Sequence, residues 1–164
     1  MGSRNVVFVI GVSGTGKSTI AAALAKTNGA VFLDADDFHP AENVEAMRNG
    51  VALTDEMRLG WLETVGQTAN NHKGDVCFAC SALKKAYRDI LRKNAPGCQF
   101  ILLDVARETL QTRMQQRKDH YMPASLLDSQ LATFEFPAAS ETDVVIVDGE
   151  MPVSEIVKTI QSLI

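Results

Sequence analysis

Eight residues carry the plainest chemistry in this chain. Gly11-Val12-Ser13-Gly14-Thr15-Gly16-Lys17-Ser18 fits the phosphate-loop pattern G-x-x-x-x-G-K-[ST] at every fixed position. Glycines at this spacing let the backbone curl until successive N–H groups point inward as an anion nest. A helix starting behind the nest adds its unpaired N–H groups and positive dipole end. Lys17 is spaced to reach the β- and γ-phosphates, the Ser18 hydroxyl to hold Mg²⁺, and Thr19 continues the nucleotide-binding set. The flanks agree: the apolar run Val6 to Ile10 leads in, and residues 18–26 read as a helix leading out. A chance glycine-rich turn would lack that strand and helix. The loop therefore predicts a nucleoside triphosphate site.

A second group lies one strand later. Ligands of a parallel sheet gather at the carboxyl ends of its strands. That rule brings residues 13–18 together with Asp34 to His39 after the second apolar run, and with Ser81 and Lys84 after the third. A phosphate loop usually works with an acidic residue ending a neighbouring strand. The third run ends Cys80-Ser81, without a carboxylate, so Asp34-x-Asp36 is the better source. Asp34 is assigned to Mg²⁺ through water, and Asp36 to the acceptor hydroxyl as orienter or general base. The bland alternative is that these acids cap the next turn, the reading kept for Asp37.

The elements that must position these groups follow from periodicity. Strands are expected at 30–33, 76–80, 100–103 and 144–147 besides the first, each continuously apolar. Helices are expected at 41–49, from Thr54 with Trp61, Leu62, Val65 and Ala69 on one face, and after Lys85 with Tyr87, Ile90 and Leu91 inward. Three more run from about Ala106 to Arg117, from Pro123 to Pro137, and from Pro152 with Ile156, Val157, Ile160 and Ile164 buried. Such strands alternating with amphipathic helices mean a parallel sheet covered on both faces. The expectation is one three-layer α/β domain over residues 1–164.

Composition removes several classes. A net charge of −4 without a Lys/Arg run argues against broad nucleic-acid binding, and makes an anionic substrate depend on a local cationic pocket. No apolar run approaches the ~20 residues that span a bilayer, so no membrane association is expected. Cys77 and Cys80 form C-x-x-C inside an apolar run, with no second pair spaced for zinc; buried strand cysteines are expected, and three cysteines suit a reducing cytoplasm.

Beyond the loop, the chain resembles the gluconate kinases. The resemblance runs through residues 32–40 (Phe32-Leu33-Asp34-Ala35-Asp36-Asp37-Phe38-His39-Pro40), then Asn43, Met47, Gly50, Leu53, Asp55, Arg58, Trp61 and Leu62. It continues in Cys80-Ser81-Ala82-Leu83-Lys84-Lys85, Tyr87-Arg88-Asp89, Leu91 and Arg92. Arg113, Arg117, Lys118 and His120 extend it, as do Leu127, Ser129, Gln130, Thr133, Glu135 and Pro137. It implies ATP-dependent phosphorylation of D-gluconate on its 6-hydroxyl, a P-loop kinase fold with strand order 2-3-1-4-5, a mobile lid at about 117–137, an acceptor-binding segment at about 37–72, and a homodimer.

A sugar acid needs a cation for its carboxylate and hydrogen-bonding groups for its hydroxyls. Arg58 and Lys84 are the candidate cations, with solvated helix residues as the alternative; His39 and Ser81 are polar partners, unless His39 is a simple turn histidine. Arg113 and Arg117 lie one helical turn apart, the first expected to stack on adenine and the second to neutralise the transferring phosphoryl group. His120 belongs to the same substrate-side set, and Gln130 either reads the substrate or braces the lid. Ala35, Ala46, Met57, Gly60 and Asp119 depart from the family pattern, and these changes cluster around the expected acceptor pocket. The rivals are a shikimate kinase, disfavoured because no Gly-rich turn follows the third strand, and a non-catalytic ATP-binding switch, which would want an effector loop that is not visible.

Overall fold

The computed structural model describes residues 5–116 and 124–164. Five strands, β1 (Val6–Ile10), β2 (Val31–Asp34), β3 (Val76–Ala79), β4 (Gln99–Asp104) and β5 (Val144–Asp148), form one parallel sheet in the order β2-β3-β1-β4-β5. This is the expected order. It puts β1 in the centre, where all five of its residues are buried, so the loop that follows it leaves from the middle of the sheet's carboxyl edge.

Alternation along the strands builds two cores. Val6, Phe8 and Ile10 join Phe78 and Phe100 on one face, and Val7 and Val9 join Cys77, Ile101 and Leu103 on the other. The first face holds a ladder of Phe78, Phe8 and Phe100, with neighbouring ring centroids 5.6 Å apart. It is covered by α3 (Asp55–Asn71) and α4 (Lys85–Asn94), with Leu110 of α5 (Arg107–Gln116) and Leu127 of α6 (Ala124–Thr133). The opposite face is covered by α1 (Lys17–Asn28) and α7 (Val153–Leu163). Each face removes bulky apolar side chains from water at roughly 25 cal/mol per Å², which stabilises the frame under the site.

The cysteine expectation holds among the described residues. Cys77 and Cys80 are three apart in an extended segment, so they enter opposite cores and cannot share a ligand. Burial pushes their thiols up to about 11 and about 12, and Cys98 to about 12. All three stay protonated and inert.

Two local details differ from the sequence reading. Ile164 is 40% exposed rather than buried, because α7 ends at Leu163 and the last residue leaves its apolar stripe. The inward face of α4 includes Arg88, at 0% exposure, while Ile90 is only partly buried. A charged side chain in that position is invisible to apolar periodicity.

Residue 54 behaves as expected: its hydroxyl accepts from Met57 N–H at 3.2 Å and opens α3, the helix that carries Arg58 and Trp61. Thr54→Ala is expected to lower unfolding stability by about 1 kcal/mol, readable as a shift in urea midpoint at unchanged slope. No shift would mean that the cap is replaced by water.

Candidate active site

The phosphate loop takes its shape from backbone that glycine tolerates. Gly14 and Gly16 sit at φ 88° and 90°, in the left-handed region. Below them Val12 carbonyl accepts from Thr15 Oγ1 at 3.0 Å and from Lys17 Nζ at 3.0 Å, so the lysine ammonium is curled over the loop. α1 follows Gly16, its N-cap, with no side chain capping it, and its first N–H groups and dipole point into the loop. The arrangement suits a polyphosphate.

Next to it, β2 ends in Asp34 and tightens into a short 3₁₀ turn, Ala35–Phe38, that periodicity did not reveal. The Asp34 carboxylate divides its two oxygens. Oδ2 accepts from the Ser18 hydroxyl at 2.8 Å, and Oδ1 accepts from Asp36 N–H at 3.0 Å. One oxygen thus caps the turn while the other lies against the helix start. Ser18 and Asp34 make a small set of hard oxygens, and no cluster of three or more His, Cys, Asp or Glu capable of holding a metal occurs among the described residues. Few protein ligands of this kind fit Mg²⁺, which keeps waters and takes phosphate oxygens.

The 3₁₀ turn, the end of α2 (Ala41–Arg48) and the start of α3 form the neighbouring wall, through Asp36, His39, Met47, Arg58 and Trp61. The His39 ring stacks on Trp61 with centroids 4.0 Å apart, and Trp61 Nε1–H donates to Ala35 carbonyl at 2.7 Å. His39 is therefore more than a turn residue held by backbone. Its imidazole is pushed down to about 4, first by burial and then by the Arg58 charge, against an opposing pull from Asp34. At neutral pH it is uncharged.

Arg58 donates from Nη1 to the Tyr87 hydroxyl at 2.8 Å. Tyr87 in turn donates a short hydrogen bond to Asp55, which also pairs with Lys84 at 3.2 Å. The Tyr87 hydroxyl and then Lys84 hold the Asp55 carboxyl below the usual range, and Asp55 raises Lys84. This polar chain props Arg58 from outside.

One cavity brings together Ser13, Gly14, Gly16, Lys17, Ser18, Thr19, Asp34, Asp36, His39, Arg58, Ser81 and Gln130. Gly11, Val12 and Thr15 are buried beneath the loop. Lys84 is not part of the cavity wall; its ammonium is spent on Asp55 and lies 5.5 Å from the Tyr87 ring centroid. Arg113 donates to Gly14 carbonyl at 2.9 Å and Gly149 carbonyl at 3.4 Å, joining the loop to the end of β5. In this geometry its guanidinium braces backbone. Gln130 Oε1 accepts from Ser13 N–H at 2.7 Å, so α6 is tied directly to the loop. Arg117 and His120 lie outside the described residues. Trp61, given no site role from the sequence, also lines the cavity; its periodicity matched a core stripe, and its place in the family resemblance was the one signal that could have found it.

Known proteins share this architecture. The AAA domain family matches residues 6–137. The thermosensitive gluconokinase of Escherichia coli (strain K12) is 45% identical over 144 residues, covering 86% of this chain and 77% of that protein. A gluconokinase from Sinorhizobium meliloti 1021 superposes with TM-score 0.85 at 42% identity, over 95% of this chain and 90% of the other. A sugar kinase from Janibacter sp. HTCC2649 superposes with TM-score 0.92 at 38% identity, over 98% and 94%.

Proposed function

The chain belongs to the gluconokinase family, and from that premise we propose that it transfers the γ-phosphoryl group of ATP to the 6-hydroxyl of D-gluconate, giving 6-phospho-D-gluconate and ADP. One observation carries the reading: the phosphate loop, the Asp34–Asp36 turn and the His39–Arg58 wall open into a single cavity. A donor and a small polar acceptor can meet there in line.

The roles follow from reach and chemistry. The loop N–H groups and Lys17 bind the β- and γ-phosphates and stabilise the charge that spreads over them during transfer. Ser18 and Asp34 would hold Mg²⁺, which when bound supplies charge neutralisation between those phosphates. Asp36 orients the acceptor hydroxyl and takes its proton as the oxygen–phosphorus bond forms and the bond to ADP breaks. Arg58 receives the carboxylate of the sugar acid, since a guanidinium matches a carboxylate with two parallel hydrogen bonds. His39 and Ser81 meet its hydroxyls. Lys84 acts one shell out, by fixing Asp55. Arg113 braces the loop, and Gln130 holds α6 against it. Arg117 and His120 complete the charge-neutralising and substrate-side sets that the family pattern implies.

The wider setting belongs to the same proposal. It is a single domain over 1–164, with acceptor segment 37–72 and lid 117–137, working as a homodimer in the cytoplasm. Three buried, protonated thiols support a reducing compartment, and no helix among the described residues is long and apolar enough to cross a membrane.

The deciding experiment is an ADP-release assay over gluconate, other aldonic acids, shikimate and nucleoside monophosphates. Gluconate is expected to be turned over with the highest kcat/KM. Turnover of shikimate or a nucleotide without gluconate would overturn the assignment.

A further inference from the structure

Asn43 stands on the first turn of α2, 1% exposed, and is one of four buried polar or charged residues among those described. Its Nδ2 makes two contacts, 3.2 Å to His39 Nδ1 and 3.0 Å to Met57 carbonyl. Its Oδ1 is the one buried side-chain polar atom without a hydrogen-bond partner among the described residues. An unpaired buried acceptor is costly. A residue that tolerates that cost at such a position is working through its NH₂ group.

The Met57 carbonyl decides which way the carboxamide points. A carbonyl only accepts, so the atom beside it must be the nitrogen; the flipped amide would set two oxygens 3.0 Å apart. With one N–H on Met57, the other is directed at His39 Nδ1. That ring nitrogen must then be the acceptor, and the ring proton sits on Nε2. Nε2 lies 3.8 Å from Asp36 Oδ1. Trp61 covers the ring's face, so the imidazole is held by face and edge together.

We propose that Asn43 is a positioning residue that fixes His39 as its Nε2–H tautomer, so that His39 presents a neutral donor beside Asp36 to an oxygen of the acceptor. Two consequences follow. His39 does not compete with Asp36 for the proton of the reacting hydroxyl, because its only lone-pair nitrogen is tied to Asn43. It instead discriminates for acceptors that carry a hydroxyl or carboxylate oxygen at that point. The proposal rests on the gluconate reading only for the identity of that oxygen.

The tautomer is read directly by long-range ¹H–¹⁵N correlation on protein labelled at histidine, with the His39→Gln spectrum identifying the resonances. In the unsubstituted protein, without substrate, His39 Nδ1 is expected at the unprotonated position and Nε2 at the protonated one. In Asn43→Ala the two nitrogens should drift toward averaged shifts, and KM for gluconate should rise about tenfold while KM for ATP stays within twofold, the loss expected of one oriented hydrogen bond. A proton on Nδ1 in the unsubstituted protein overturns the proposal whether or not any variant folds. Unchanged shifts in Asn43→Ala, or equal losses toward both substrates, also overturn it, because a purely structural tie between α2 and α3 behaves that way. If gluconate fails in the acceptor assay while the tautomer is as stated, the acceptor is wrong and the role of Asn43 stands.

Discussion

Asp36→Asn is expected to lower kcat by two to four orders of magnitude while ATP binding stays within a few-fold. The geometry separates the two functions. In the proposed roles ATP is held by the loop, by Lys17 and by the Ser18–Asp34 pair, and the bonds that Lys17 and Ser18 make to Val12 and Asp34 do not involve residue 36. Capping of the 3₁₀ turn belongs to Asp34, which accepts the Asp36 N–H whatever side chain residue 36 carries. Asparagine keeps the shape but loses the charge and the basicity. General-base assistance typically contributes about 10²–10⁴-fold, or roughly 3–5.5 kcal/mol of barrier. Steady-state ADP release measures the loss, and titration calorimetry with a non-hydrolysable ATP analogue measures retention of the donor. Near-normal turnover would remove Asp36 from the chemistry and leave it as a turn residue.

The second large effect is on stability. Arg88 and Glu141 form an ion pair with side chains 0% and 2% exposed, bridged by bonds of 2.7 and 3.0 Å. The remaining Arg88 donors reach the carbonyls of Ala82, Leu83 and Glu135 at 3.0, 3.2 and 3.1 Å. A single guanidinium thus ties the turn after β3, where Ala82 takes φ 37° and Ser81 and Leu83 line the cavity, to the chain that leaves α6. Glu141 also accepts from Arg92 at 2.8 Å and from Ala138 N–H at 2.8 Å.

Glu141→Ala leaves Arg88 buried without its counter-charge, and removing one partner of a buried pair costs about 3–5 kcal/mol. That is a large share of the roughly 5–15 kcal/mol that holds a typical domain. Urea unfolding should show the midpoint falling steeply, and a change of under about 1 kcal/mol would show that water reaches the site. The pH dependence has a definite sign. Arg88 first, and Arg92 as well, lower the Glu141 carboxyl from 4.5 to about 2. Its stabilisation is therefore complete above about pH 4.5 and lost as pH falls toward 2. The substituted protein should lack that part of the acid transition.

Much of the donor side was legible in the chain itself. A phosphate loop is a local device: its glycines, its lysine and its serine work within eight residues, so spacing alone identifies them. Strand order came from the family resemblance, while the continuous apolar runs by themselves required a parallel sheet with helices on both faces. Asp34 and Asp36 could be placed because the sheet gathers its strand ends at one edge.

The acceptor side was legible only in part, since its contacts join residues far apart in sequence. Lys84 and Arg58 looked alike as cations; the fold put Arg58 on the cavity wall and turned Lys84 to Asp55, 29 positions away. Gln130 meets Ser13 across 117 positions, and Arg113 meets Gly14 across 99. Arg88 was hidden because burial of a charge depends on five hydrogen bonds to four residues that only packing assembles. Trp61 and Asn43 gave no sign of holding His39 from face and edge. The sequence by itself determined which groups could bind phosphate and that a parallel sheet would carry them, because those choices are set by local spacing and by apolar periodicity. The tertiary structure decided which polar side chains face the cavity and which brace others, Asn43 and Trp61 against His39 among them, because long-range carbonyls and charges select among conformations that are equivalent along the chain.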